Sequence, residues 1–76
     1  MFEELKSILM EELDVDEALI LPEAEFVSDL KLNSLELADF VVFCEEKFGT
    51  TIDEEDIHSI LSIQDLMEYI EQKAAL

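Results

Sequence analysis

Residues 29–49 read DLKLNSLELADFVVFCEEKFG, and the stretch turns from polar loop into a long apolar and acidic run at Ser34. Asn33 is a favoured helix N-cap, and Glu36 falls three residues later, where its carboxylate can reach back to the Asn33 N–H. Gly49 is the only glycine of the chain and a natural place for a helix to stop. The spacing therefore predicts a helix that begins at the Asn33 cap and runs to about Phe48. On a helix of this period Leu37, Phe40, Val41, Cys44 and Phe48 share one broad face, which should be core. Leu35, Ala38 and Val42 lie off that stripe, and Glu36, Asp39 and Glu46 take the remaining surface. Phe43 projects among the charges, either folded against the long loop that precedes this helix or exposed for a partner. Cap geometry explains why the helix starts here. It does not explain why a serine hydroxyl should be displayed at its first position.

Working outward, Phe2, Leu5, Ile8, Leu9 and Leu13 recur at spacings of three and four with acids and Lys6 between them, so they predict an amphipathic first helix ending near Asp14. From Val15 to Asn33 the period breaks, and Pro22 marks a turn or the start of a short helical piece. A loop this long in so short a chain is usually functional or pinned by its own apolar residues; Leu19, Leu21, Phe26, Val27 and Leu30 are the expected pins. A short third helix is expected after Asp53, with Glu54, Glu55 and Asp56 at its positive end and Ile57 and Ile60 as its buried pair. Ser62 with Asp65 three residues on opens a last helix whose inward stripe is Ile63, Leu66, Met67 and Ile70. The fold class predicted is all-α: one domain over residues 1–76, a small four-helix bundle with three longer helices, a short third helix and a long loop between helices 1 and 2.

Composition narrows the function. Twenty-one acids against four Lys and Arg residues together give a formal net charge of −17. Nucleic-acid binding works by neutralising phosphates with Lys and Arg, so this chain is read as no nucleic-acid binder. Anionic membrane surfaces should repel it, and no apolar run approaches the length of a membrane span. Partners should carry basic patches. No signal-peptide pattern opens the sequence, because Glu3, Glu4 and Lys6 interrupt the apolar residues; a cytoplasmic, monomeric protein is expected. A domain of this size buries only roughly 60% of its unfolded surface, which leaves little room for a deep, dry catalytic cleft.

Ser34 as a nucleophile would need a base and a group to orient that base. His58 is the only histidine, it falls in the short third helix, and Ser34 sits between Asn33 and Leu35 with no glycine-flanked elbow. Catalysis by the chain itself is therefore not expected, and His58 reads as a surface or helix-end residue. A calcium loop starting at Asp53 would need glycine at its sixth position and glutamate at its twelfth, where this chain has His58 and Gln64. One Cys and one His do not make a zinc site, and Cys44 on the core face reads as a small buried hydrophobe. No metal is expected.

The run from Phe26 to Ile70, FVSDLKLNSLELADFVVFCEEKFGTTIDEEDIHSILSIQDLMEYI, resembles the acyl carrier proteins of fatty-acid and polyketide synthesis. The shared pattern is an aromatic–aliphatic pair, Asp-Leu, a short spacer, a serine-leucine step, an acidic apolar helix, then a short acidic helix and a final one. Phe26, Val27, Asp29, Leu30, Ser34, Leu35, Glu45, Glu46, Phe48, Ile52 and Tyr69 fall in step with it. The resemblance implies that Ser34 carries a 4′-phosphopantetheine arm, transferred from coenzyme A by a holo-carrier-protein synthase, whose terminal thiol holds acyl groups for partner enzymes with basic surfaces. A serine in the first turn of a helix suits that role, since an attached phosphate sits at the positive end of the dipole. The resemblance further implies that Glu36, Asp39, Glu45 and Glu46 dock partners with Leu35 and Val42 as apolar contacts. It also implies that Leu37, Val41, Cys44, Ile52, Ile57, Ile60, Leu66 and Tyr69 line a cavity for the acyl chain. Asn33 stands where the family has aspartate, and Lys31-Leu32 replaces a spacer that usually contains glycine; Asn33 points to a dedicated synthase or a specialised pathway. The bulk of Phe40 and Phe43 points to a reshaped cavity. The alternatives are an aminoacyl carrier of the D-alanyl or peptidyl type, and an unmodified acidic interaction module.

Overall fold

The computed structural model describes residues 1–75. Its helices are α1 (Phe2–Leu13), α2 (Ser34–Phe48), α3 (Glu54–Ile57) and α4 (Ile63–Ala75), with one 3-10 turn at Glu17–Leu19 between α1 and α2. The four-helix, all-α architecture expected from the sequence is the one observed. Each stop is local chemistry. Asp14 ends α1 in the left-handed region at φ 60°, and its N–H reaches the Leu9 carbonyl, a conformation that short polar Asp tolerates better than most side chains. Gly49 does the same for α2 at φ 63°, bonding back to Glu45.

Leu5 and Leu9 of α1, Phe40, Val41 and Cys44 of α2, and Ile63, Leu66 and Ile70 of α4 are buried together, with Phe2, Ile8, Leu13, Leu37, Phe48 and Met67 packed around them. The Phe26 and Phe40 rings meet at 5.4 Å between centroids, tilted by 52°, a geometry favoured for aromatic pairs. Ile60 is buried, but it lies beyond the last residue of the four-residue α3, and Ile57 is only half-buried.

The long loop departs from expectation. Phe26 and Leu30 pin it as expected, but Leu19, Leu21 and Val27 are exposed, and Ile20, Ala24 and Leu32 take their place in the core. An apolar side chain in an irregular segment carries no period to say which way it faces, so residue type alone misassigned three of the five. The loop is also held by its backbone. The first amides of α4 have no partners within their own helix. Here Ile63 donates to the Ala24 carbonyl at 3.1 Å and Gln64 to the Pro22 carbonyl at 2.8 Å. Asp65 donates to the Ser62 hydroxyl at 3.1 Å, and its own carboxylate accepts from Leu61 and Ser62 N–H, both at 3.2 Å. In the other direction Phe26 N–H reaches the Leu61 carbonyl at 2.9 Å. The loop thus caps α4 while α4 fixes the loop, and both meet beside the N-terminus of α2.

α3 is clamped at its beginning. The Tyr69 hydroxyl donates to Asp56 at 2.8 Å and accepts the Asp53 N–H at 3.2 Å. Lys73 pairs with the Asp53 carboxylate at 3.3 Å and lies 5.5 Å from the Tyr69 ring centroid. From α2, the Glu45 carboxylate accepts the Ile52 N–H at 2.7 Å.

Candidate functional site

Asn33 and Glu36 close a full capping box: the Asn33 side chain accepts the Glu36 N–H at 2.8 Å and the Glu36 carboxylate accepts the Asn33 N–H at 3.0 Å. Of the amides left over at this helix start, the box takes those of Asn33 and Glu36 and leaves those of Ser34 and Leu35 to water or to an anion. Ser34, the first residue of α2, is exposed, and its hydroxyl takes no part in the cap. The side chain that starts the helix and the one that is displayed are therefore different residues, one place apart.

Ser34 also lines the mouth of a cavity of about 340 Å³, walled by Phe26, Val27, Leu37, Ala38, Ile57, Ile60 and Leu61, with Glu25 and His58 as its only ionisable lining. It opens between the loop, the start of α2 and the α3–α4 turn. Its size falls in the range of small-molecule sites, and its lining is the apolar kind with few polar groups that such sites have.

Of the eight residues expected to line an acyl cavity, Leu37, Ile57 and Ile60 line this one. Val41, Cys44, Ile52 and Leu66 lie in the buried core instead, and Tyr69 is half-buried with its hydroxyl in the α3 clamp. Phe40 is fully buried against Phe26 and does not occupy the cavity. Phe43 takes neither of its two expected places: it is half-buried along a groove with Ile8, Glu11 and Glu12 of α1. Sequence reasoning missed Ala38, Val27, Leu61 and His58 as cavity residues. Their signal lay in distance from the serine across three separate segments, which no single helical period carries.

On the outer face of α2, Leu35 is 78% exposed and Val42 49% exposed, and Asp39 and Glu46 are exposed beside them. Two of the expected docking acids have internal work. Glu45 is half-buried on the Ile52 amide, and Glu36 is half-buried in the capping box. The free carboxylates of this face are Asp39 and Glu46.

Electrostatics separate the core thiol from the site. Burial, with the Glu45 charge nearby, pushes Cys44 up from 9.0 to about 12, so its thiol is neutral and inert at any ordinary pH. Tyr69 is raised, chiefly by desolvation, and Lys73 is raised, chiefly by its bond to Asp53. Both shifts hold the α3 clamp in its uncharged-phenol, charged-amine form.

The arrangement is that of a display. A free hydroxyl at a helix start, two free amides beside it and an apolar cavity next to it fit a phosphate-linked arm bearing an apolar cargo. The comparisons with known proteins agree. A family model described as a phosphopantetheine attachment site matches residues 3–70. An acyl carrier protein of Helicobacter pylori strain G27 is 41% identical over 71 residues, covering 93% of this chain and 91% of that protein. The acyl carrier protein of strain HPAG1 is similar to the same extent, and that of strain ATCC 700392 / 26695 is 39% identical over the same span. With its helical bundle, its displayed serine and these relatives, the chain belongs to the acyl carrier protein family, whose cofactor is 4′-phosphopantetheine.

Proposed function

We propose that this chain carries acyl intermediates on a 4′-phosphopantetheine arm attached at Ser34 and delivers them to partner enzymes of fatty-acid, lipid or polyketide synthesis. The observation that supports this most is the Ser34 hydroxyl, exposed and outside the capping box, at the mouth of the apolar cavity. The arm, when attached, supplies a thiol that holds the cargo as a thioester. The protein's own residues present and shelter. Asn33 and Glu36 fix the helix start so that Ser34 points outward at a defined place. The Ser34 and Leu35 amides and the positive helix end favour a phosphate there. Leu37, Ile57, Ile60 and Leu61 offer an apolar wall on which a hydrocarbon chain gains roughly 0.8 kcal/mol per buried CH₂.

No general base is needed beside Ser34, because a holo-carrier-protein synthase brings the chemistry of attachment and the partner enzymes bring the rest. Catalysis by the chain itself is not part of this reading. Partners meet the outer face of α2, where Leu35 and Val42 would be the apolar contacts and Asp39 and Glu46 would steer Lys and Arg into register. The cavity also bears on the cargo. Its apolar wall suits an acyl chain better than a charged aminoacyl group, whose ammonium would lose hydration there. That favours acyl over D-alanyl or peptidyl carriage.

The test is incubation with coenzyme A and a broad-specificity phosphopantetheinyl transferase, followed by intact mass measurement. The wild-type chain should gain the mass of one arm and Ser34→Ala none. A chain that gains nothing, or a Ser34→Ala variant that gains the arm, refutes the assignment and leaves the unmodified interaction module as the better reading.

A further inference from the structure

Resting on the reading of Ser34 as the attachment point, we propose that His58 contacts the phosphodiester of the group carried there, its imidazolium donating to the phosphate oxygens. This role is binding and asks no proton transfer of the ring. His58 and Ser34 line the same cavity mouth, one from the end of α3 and the other from the start of α2. The imidazole is exposed, so it reaches an attached group without rearrangement of the core. The turn that carries it is fixed: the His58 N–H bonds back to the Asp56 carbonyl, and Ser59 and Ile60 donate to the Asp56 and Ile57 carbonyls at 3.0 and 3.1 Å.

Most of the surrounding carboxylates are tied elsewhere, Glu54 and Glu55 excepted. Glu25, the one acid of the cavity lining, accepts the Ser28 hydroxyl at 2.6 Å. Asp56 on α3 accepts from Tyr69, Asp65 on α4 holds the Leu61 and Ser62 amides, and Glu36 on α2 holds the Asn33 amide. Asp53 pairs with Lys73. Glu54 and Glu55 are exposed on the first turn of α3. Among the described residues His58 makes no ion pair. A phosphodiester placed at Ser34 would stand at the same cavity as the ring, and a protonated ring offers two N–H donors to phosphate oxygens. Lys31 is the other cation near Ser34 in the chain, exposed three residues before it. The two are distinguishable because His alone among ordinary side chains changes charge between about pH 5 and 8, while a lysine stays charged throughout.

The experiment uses the chain loaded with coenzyme A and a phosphopantetheinyl transferase, checked by intact mass, and follows its single ³¹P resonance from about pH 5 to 8 at low ionic strength. The diester itself stays singly charged across that range, so any pH dependence reports a neighbour. The wild-type resonance should follow one sigmoid between those limits. His58→Gln should flatten it, and Lys31→Gln should leave it in place. A flat wild-type curve, or a His58→Gln curve that keeps the sigmoid, overturns the role of His58 while attachment stands. A chain that accepts no arm at Ser34 overturns both, and the mass measurement shows which case holds.

Discussion

Cys44 allows a sharp test of the packing beneath the site. Its side chain is fully buried, and its thiol is held at about 12 instead of 9.0. An unfolded chain releases this proton from about pH 9 upward, whereas the folded chain keeps it. Between those limits the unfolded state binds one proton fewer, so stability falls by about 1.4 kcal/mol per pH unit. Taken over the gap from 9.0 to about 12, one thiol removes on the order of 4 kcal/mol, comparable with the whole stability of a small domain. The assay is urea unfolding by circular dichroism from about pH 8 to 11.5, on wild type and Cys44→Ala. The alanine variant starts lower because of the cavity it leaves, but its stability should decline much less steeply above pH 9. The difference between the two curves isolates Cys44, since Tyr69, Lys73 and the overall acidity are common to both. Parallel curves would refute the reasoning, because they would mean the thiol ionises as easily folded as unfolded.

The remaining tests are simpler. Gly49 sits at φ 63° with open space where a Cβ would go, so Gly49→Ala should cost about 1 kcal/mol from backbone strain alone. Lys31 occupies the same left-handed region at φ 61°; Lys31→Gly should raise stability by roughly 0.5–1 kcal/mol, the relieved strain less the added chain entropy. Asp39→Lys should cut turnover by a partner enzyme with no loss of melting temperature, while Glu36→Lys should also cost about 1 kcal/mol of stability through the lost cap. With a formal net charge of −17, added salt should raise the melting temperature by screening self-repulsion, and an unchanged value would show that the acids are too well separated to matter.

What could be read in advance divides by range of interaction. The bounds of α2 follow from Asn33, Glu36 and Gly49, residues that act on amides and dihedrals within one turn, so neighbours in sequence carry the whole argument. The last helix was legible for the same reason, through Ser62 and Asp65. The loop was not. Leu19, Leu21 and Val27 are as apolar as Ile20, Ala24 and Leu32, and which of them turn inward depends on how the loop is tied, including the bonds from Ile63 and Gln64 to the Ala24 and Pro22 carbonyls. Ser34 itself was legible as a displayed hydroxyl, and the family pattern gave it a use. The cavity was legible in part: Leu37, Ile57 and Ile60 were named, but Val41, Cys44 and Leu66 are packed into the bundle and do not reach the opening. Glu45, expected among the docking acids, also holds the Ile52 amide with its carboxylate, a tertiary bond that no local pattern carries.

The backbone bonds that join the loop to the start of α4 have one further consequence, for motion. They tie Pro22, Ala24 and Phe26 to Leu61, Ile63 and Gln64, closing the segment that holds α2 and α3 into a loop. Such a tie spans a large sequence separation, so it costs loop-closure entropy to form, and opening it locally returns that entropy. Phe26 and Leu61 are at once part of this tie and two walls of the cavity. Under the proposed function, a cargo would be admitted or released by fraying a few of these hydrogen bonds, with α1 still seated on α2. Hydrogen exchange at the Phe26 and Ile63 amides would time that opening directly, faster than exchange at Leu9 or Cys44.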